Sequence, residues 1–457
     1  MKNIWTSETL AEALMVKVPK GINGLRLQFN SRDVSEGDVF IALKGENGDG
    51  HQYVDDAFAR GASCAIVSQG HAKQSQAVIV VQDTFEALQA LAQYKRAKSK
   101  AKFIAITGSL GKTSTKEAVA AIVSHYGKSI STRGNFNNHI GVPLDLGSMP
   151  DDLEYAVIEM GMDRAGEISE LSRMVKPNIA VITNVAQAHL VFFGSERKIA
   201  DAKCEIFDGM DGGVVLLNID NAHYQYCKDK ASGLEVRSFG AREEADYRVS
   251  GYSFDGKFAH MNFTVGGTKY KAETTLVGRH MATNLAAAIG IADTLGFPIK
   301  ASVEIIKDLS PKRGRGEQIE LILNGKNCTL IHDCYNAGPL SVKAALEHLK
   351  EITHPHKVAI LADMRWLGDD EVAYHLALEA DVRAAGLSKL YTVGDLMHHL
   401  HERLKGSLEA KHFATALDLQ KEVLELIEQE SLILIKGSKI MGLLDVADYL
   451  IKQGNTN

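Results

Sequence analysis

The chain has 457 residues, 45% hydrophobic and 24% charged, the balance of a globular protein too long for one core, so two or three domains are expected. Its formal net charge of -6 excludes a protein built around the phosphate backbone of nucleic acid, although a small anionic ligand needs only a local positive patch. Five scattered cysteines (64, 204, 227, 328 and 334) form no disulfide framework, the opening MKNIWTSETLAEAL lacks the apolar core of a secretory signal, and no run of about 18 apolar residues could span a membrane, so a reducing cytoplasm is the expected setting.

In residues 1–98, short apolar runs alternate with turns. DVFIAL, SCAIVSQ and QAVIVV predict strands, and QYVDDAFARGA and TFEALQALAQYKRAK predict helices, giving a small α/β unit. Its segment NSRDVSEGDVFIALKGENGDGH sets Ser31, Arg32 and His51 among glycines, and Arg32 could hold a phosphate or a carboxylate. Residues 99–312 open on an apolar strand, a glycine-containing turn and a helix ended by Gly127. YAVIEMG, NIAVITNV and VVLLNID are unbroken apolar runs that suit a parallel sheet covered on both faces. From 246 to 277 the pattern changes to alternating, glycine-punctuated strands, expected to pair antiparallel, before HMATNLAAAIGIADTLG returns to helix. Residues 313–457 begin in the basic joint SPKRGRGEQ, and CTLIHDCY, HKVAILADM, KLYTVG and SLILIKG predict a further α/β unit.

TGSLGKTST is the strongest local signal. A strand runs into Gly108, then Gly111, Lys112, Thr113 and Ser114 open a helix. Backbone N–H groups of such a loop cradle phosphate oxygens, Lys112 can reach the terminal phosphates, and the Thr113 hydroxyl can ligate Mg²⁺. The common phosphate-loop pattern places a glycine five residues before Gly111, where this chain has Ile106, still inside the strand. The loop is therefore a short variant, expected to bind ATP or a relative, and it does not by itself name a reaction.

Glu159 ends one apolar run and His189 follows the next, so both are expected at the crevice outside the strand ends. Together they fit an oxygen-and-nitrogen site for Mg²⁺ or Mn²⁺ beside a triphosphate. Lys203 lies further along AHLVFFGSERKIADAKCEIF, where its ammonium would repel a cation. Three readings stay open: a solvated helix lysine, a direct phosphate contact, or an amine carboxylated by CO₂ to an anionic carbamate. STRGNFNNHIGVP offers the amides of Asn137 and Asn138 on a polar loop, and Arg315 in RGRG could swing onto triphosphate when domains close. IHDCYNAGPLS, ILADM and LIKGSK are three strand ends breaking into polar residues, which suggests a second face of the same cleft.

Together these segments resemble the Mur ligase family, ATP-dependent amide-bond ligases of peptidoglycan precursor synthesis. The resemblance covers essentially the whole chain and rests on SRDVSEGDVFIALKGENGDGH, TGSLGKTST, GNFNNHIGVP, IEMG, AHLVFFGS, AKCEIF, GRHMATNLAAA, HDCYNAGP and IKGSKIMGL. It implies a three-domain α/β architecture. A small N-terminal domain holds the UDP end of the substrate, a central parallel-sheet domain binds ATP through the phosphate loop, and a Rossmann-like C-terminal domain closes over both.

The resemblance assigns Lys112 and Thr113 to phosphates and metal, and Glu159 and His189 to the metal, with Lys203 as a carbamate. It assigns His280, Asn284, Arg315 and Asp333 to the nucleotide. Ser31 and Arg32 match contacts to the UDP side, and Asn138, Tyr335 and the neighbouring Asn137 and Asn336 fall around the substrate. The implied reaction joins D-alanyl-D-alanine to UDP-MurNAc-tripeptide in a monomer that needs neither nucleic acid nor membrane. The family's alternative is addition of a single amino acid, whose Asp-Asn-Pro-Arg motif is missing here; a nucleotide-binding protein without catalysis is the reading from another class. The chain departs from the family pattern at Met281, Cys334, Gly338, Ala362, Trp366 and Lys439.

Overall fold

The computed structural model describes residues 4–45, 48–71, 77–187 and 190–454. Three sheets of four or more strands follow one another along the chain, with two small two-stranded ribbons beside the first. The first is all parallel, in the order β1 (Leu27–Gln28), β2 (Val39–Ile41), β3 (Cys64–Ser68) and β4 (Val78–Val81). Helix α1 (Thr84–Lys98) packs Leu88 and Leu91 into the core beneath it, and its N-cap Asp83 accepts from the N–H groups of Phe85 and Glu86.

The second sheet carries the phosphate loop. Its elements in chain order are β5 (Lys102–Thr107), α2 (Lys112–Tyr126), β6 (Ser129–Ser131), α3 (Gly141–Gly147), β7 (Tyr155–Glu159), β8 (Ile179–Ile182), α4 (Leu190–Phe193), α5 (Glu196–Cys204), β9 (Val214–Asn218), α6 (Tyr224–Lys230), β10 (Glu235–Gly240), β11 (Tyr247–Phe254), β12 (Ala259–Val265), β13 (Thr268–Thr274) and α7 (Arg279–Thr294). The nine strands lie in the order β6-β7-β5-β8-β9-β10-β11-β12-β13. Pairing is parallel as far as β11 and antiparallel beyond it. The unbroken apolar runs are its central strands: Phe103, Ile104, Ala105 and Ile106 of β5 are all fully buried. Alternate residues enter cores on opposite faces, Phe103 and Ala105 one and Ile104 and Ile106 the other. Each buried Phe or Ile side chain contributes about 1.5–3 kcal/mol by leaving water.

The antiparallel strands expected between 246 and 277 form, but they continue the main sheet through the parallel contact of Phe239 with Tyr247. The polar, turn-rich segment 131–143 begins on the edge strand β6 and ends in α3.

The third sheet holds β14 (Glu317–Leu323), β15 (Lys326–His332), β16 (Lys357–Ala362), β17 (Lys389–Val393), β18 (Glu409–Phe413) and β19 (Ser431–Lys436), in the order β14-β15-β19-β16-β17-β18. Only the β14–β15 pair is antiparallel. Helix α8 (Pro339–Glu351) lies on one face, placing Val342, Leu346 and Leu349 in the core there. No helix among the described residues is long and apolar enough to cross a membrane.

Candidate active site

Strand β5 delivers the loop to the carboxyl edge of the second sheet. Gly108 has φ 152°, and a Cβ on it would lie 1.9 Å from Thr183 Oγ1, so no other residue fits without displacing the end of β8. The Ser109 N–H donates to Asn184 O at 2.8 Å and its hydroxyl donates to Ala186 O at 3.0 Å, fastening the loop to the residues after β8. Gly111 is the N-cap of α2 with φ 83° and no side-chain cap, which leaves first-turn N–H groups of α2 to a ligand.

The Lys112 ammonium curls over the loop and donates to Gly108 O at 2.7 Å. Burial pushes its pKa below the usual lysine range; Glu159 pulls it back up, and the Arg315 guanidinium pushes it down again. Two cations thus share one hollow, an arrangement that a polyphosphate would stabilise.

A Cβ on Gly111 would come 2.3 Å from Asn284 Oδ1, which lies one turn and more inside α7. Gly111→Ala is expected to force this amide and the loop apart and to weaken ADP binding about 10–100-fold, roughly 1.4–2.7 kcal/mol. Calorimetric titration checks this, and an unchanged Kd would show that the close approach is dispensable.

Glu159, at the end of β7, is 2% exposed. Its Oε2 accepts from the Thr113 hydroxyl at 3.0 Å and its Oε1 from Asn137 Nδ2 at 2.7 Å. The carboxylate therefore ties the helix after the loop to the polar segment 131–143. Asn138 has a structural duty, since its Oδ1 accepts from the N–H groups of Ile140 and Gly141, leaving only its NH₂ for a ligand. Lys116, which the sequence reading passed over, is fully buried, and its ammonium donates to Thr132 O at 2.8 Å, holding the same segment against α2. Asn184 was missed as well. Its Oδ1 is buried without a hydrogen-bond partner just after β8, and the signal was the polar TN that closes NIAVITNV. A carboxylate, a hydroxyl and an orphaned amide oxygen at adjoining strand ends are hard donors of the kind Mg²⁺ takes.

Among the described residues, no three His, Cys, Asp or Glu side chains converge on a metal position. His189 lies outside the described residues. Lys203 is 4% exposed, so the solvated-lysine reading does not hold. Burial, and then the nearby Lys112 ammonium, push its amine well below the usual lysine range. A neutral amine of this kind is the form that reacts with CO₂.

The third sheet supplies the facing wall. Lys436, 2% exposed, donates to Asp333 Oδ2 at 2.8 Å and to Asn336 O at 3.2 Å. Asn336 Oδ1 accepts from the Ala337 N–H. Across the cleft, surrounding protein lowers the pKa of His280 even though its side chain is open to solvent, Asp333 opposes this and Lys436 adds to it, which places His280 opposite that pair. The Arg315 guanidinium carbon lies 4.1 Å from the centroid of the Tyr335 ring, within cation–π range. A cleft of about 590 Å³ runs from Thr113 and Ser114 past Glu117 and Met281 to Lys312 and Arg315. Its size suits a nucleotide-sized ligand.

Ser31 and Arg32 stand apart on the first sheet's domain. Ser31 is buried and lowers the pKa of the nearby Asp56 carboxylate, while Arg32 is exposed. This domain touches the polar segment 131–143 through edge contacts of Phe29 with Phe136, ring centroids 6.1 Å apart beside Asn137, and of Phe85 with His139. His51 is fixed internally: Nδ1 lies 2.6 Å from Asp49 Oδ1, and Nε2 accepts from the Ser68 N–H.

The fold and site define a three-domain α/β protein with a phosphate loop at the carboxyl edge of its central sheet and a cleft closed by the third domain. Residues 106–292 match the Mur ligase middle domain, 314–439 the Mur ligase glutamate ligase domain, and 26–96 the Mur ligase family catalytic domain. The chain is 40% identical over 451 residues to a UDP-N-acetylmuramoyl-tripeptide–D-alanyl-D-alanine ligase of Rickettsia prowazekii, covering 98% of this chain and 99% of the relative. It is 33% identical to the ligase of the same name from Escherichia coli, with 93% of each chain covered. A crystal structure of MurF from Acinetobacter baumannii superposes with a TM-score of 0.87 at 30% identity, covering 98% of this chain and 99% of the other. The chain belongs to the Mur ligase family.

Proposed function

We propose that this chain is an ATP-dependent amide ligase that joins D-alanyl-D-alanine to the terminal carboxylate of UDP-N-acetylmuramoyl-tripeptide. Full-length similarity to relatives bearing that name supports the reading. The observation that carries it is the phosphate loop with Lys112 curled over it and the buried Glu159 bonded to Thr113. The tripeptide carboxylate attacks the γ-phosphorus of ATP, the bond to ADP breaks, and an acyl phosphate forms. The dipeptide amine then attacks the acyl carbon, loses a proton and expels phosphate, giving UDP-MurNAc-pentapeptide.

Lys112 and Arg315 stabilise charge that develops on the transferring phosphoryl group. His280, Asn284, Asp333 and the first turn of α2 from Gly111 to Ser114 hold and orient the nucleotide. Asn137 and Asn138 border the path of the tripeptide, Ser31 and Arg32 take its UDP end, and Tyr335 and Asn336 lie on the dipeptide side. Closure of the third domain excludes water, which would otherwise hydrolyse the acyl phosphate. Thr113, Glu159, His189 and a carbamate on Lys203 would hold Mg²⁺ or Mn²⁺, which supplies positive charge to the triphosphate. The carbamate forms when the neutral Lys203 amine attacks CO₂, making a C–N bond and releasing one proton. In this reading the domains span 1–98, 99–312 and 313–457, and the enzyme works as a cytoplasmic monomer on small-molecule substrates, with no nucleic-acid partner.

The test is phosphate release and product mass with UDP-MurNAc-tripeptide and ATP. D-alanyl-D-alanine is expected to support turnover and single amino acids are not. Turnover with one amino acid and none with the dipeptide would replace this reading by the single-residue ligase. No ADP formation with any substrate pair would leave a nucleotide-binding protein.

A further inference from the structure

Away from the nucleotide cleft, the middle and third domains meet through an exposed aromatic pair. Phe192 of α4 stacks on Trp366, with ring centroids 6.1 Å apart and planes 25° from parallel. Beside the stack, the Val191 N–H donates to the Trp366 carbonyl at 3.4 Å, and Gly368 lies against Leu190 and Val191. Trp366 is 49% exposed and Phe192 54%, so neither ring serves a core. Trp366 has φ 69°, a left-handed conformation that bulky side chains rarely adopt. Its neighbours hold it there: the Arg365 N–H donates to Ser438 Oγ, and the Leu367 N–H to the Glu371 carboxylate. The backbone is thus fixed on both sides of a residue whose ring reaches out to another domain.

We infer that Trp366 is a positioning residue for the ligation, clasping the third domain onto α4 through Phe192. This rests on the ligase reading above. Helix α4 begins one residue after His189 and is followed by α5, which carries Lys203. On the other side, Trp366 follows β16, whose neighbour β19 ends at Lys436. The clasp therefore sets the spacing between the phosphate-loop side of the cleft and the Asp333–Lys436 wall. Without it the third domain closes loosely, and water reaches the acyl phosphate before the dipeptide amine does.

The readout is the ratio of phosphate released to pentapeptide formed. Wild-type enzyme is expected to give one phosphate per amide bond. Trp366→Ala is expected to raise that ratio and to lower kcat/KM for the dipeptide about tenfold, with Trp366→Phe restoring both. A lesion that was merely structural would leave the ratio at one. Trp5, the second of the two tryptophans, is fully buried, so acrylamide quenching reports on Trp366. In Phe192→Ala the quenching is expected to rise, and ATP with UDP-MurNAc-tripeptide is expected to protect Trp366 in the wild type only. Wild-type coupling and kcat/KM in Trp366→Ala, or quenching unaffected by Phe192→Ala, would overturn the clasp. If wild-type enzyme fails to use the dipeptide, the ligase reading fails, and the quenching experiment still decides whether the clasp exists.

Discussion

Replacing Lys203 by alanine is expected to lower kcat by about 10³-fold, roughly 4 kcal/mol of transition-state stabilisation, and millimolar formate or acetate is expected to return part of it. The lysine sits in the last turn of α5 with 4% of its surface exposed. An ammonium there would be desolvated and would face the Lys112 cation, so the amine is held well below its ordinary pKa. The repulsion from Lys112 turns to attraction once the amine captures CO₂, and pairing of the resulting anion with Lys112 and a divalent cation offsets its desolvation. Removing the side chain removes the anion, and a small carboxylate diffusing into the space replaces it. Alanine also removes a costly buried amine, so the fold is expected to survive and the thermal midpoint to stay within about 4 °C.

The pH dependence follows from the direction of the shift. Only the neutral amine reacts, so the carbamate is favoured above the lowered folded pKa and lost as pH falls through it. Enzyme depleted of CO₂ at mildly acid pH is expected to regain activity on adding bicarbonate at higher pH, with a carbamate signal from isotope-labelled CO₂ by NMR. Full activity without such a signal, or Lys203→Ala unmoved by carboxylates, counts against the modified lysine.

Glu159→Gln is expected to cost a similar factor, about 10³ in kcat, while leaving the fold intact. Glutamine keeps the volume, and one oxygen still accepts from Asn137 Nδ2. The Thr113 hydroxyl can rotate to accept from the new amide, so the hydrogen bonds survive in altered form. What disappears is the negative charge that offsets Lys112 and would face a cation. The Mg²⁺ concentration for half-maximal rate is therefore expected to rise together with the loss in kcat. Glu159→Ala differs, because it leaves the half-buried Asn137 and Thr113 donors without their partner, at about 0.5–1.5 kcal/mol each in stability. Glu159→Gln with a rate within tenfold of wild type at the same Mg²⁺ would remove the carboxylate from the proposed metal set.

The phosphate loop was legible because its signal is local. A strand, two glycines, a lysine and a threonine are adjacent in the chain, and the hydrogen bond from Lys112 to Gly108 spans four residues. Glu159 was legible as a strand-end acid, and its bond to Thr113 crosses 46 residues, from β7 to the helix that follows its neighbouring strand β5. Lys203 was not legible from composition, because helices carry lysine mostly on wet faces and no local pattern marks this one as buried. Lys116 was hidden for the same reason, being the second of two lysines in the helix after the loop.

By itself, the sequence determined the class of the elements, the phosphate loop and the parallel character of the central strands, since these depend on short-range periodicity and turn chemistry. The resemblance of scattered motifs carried the family. Only the tertiary structure decided that the antiparallel strands extend the central sheet, that the Asn138 amide oxygen is taken up by the Ile140 and Gly141 N–H groups, and that Asn184 presents an orphaned oxygen. It alone set Trp366 against Phe192, 174 residues away by their numbering. Each of these depends on which segments distant in the chain share a neighbourhood. Burial, the pKa of an amine and the stacking of two rings are properties of that neighbourhood and not of the residues on either side.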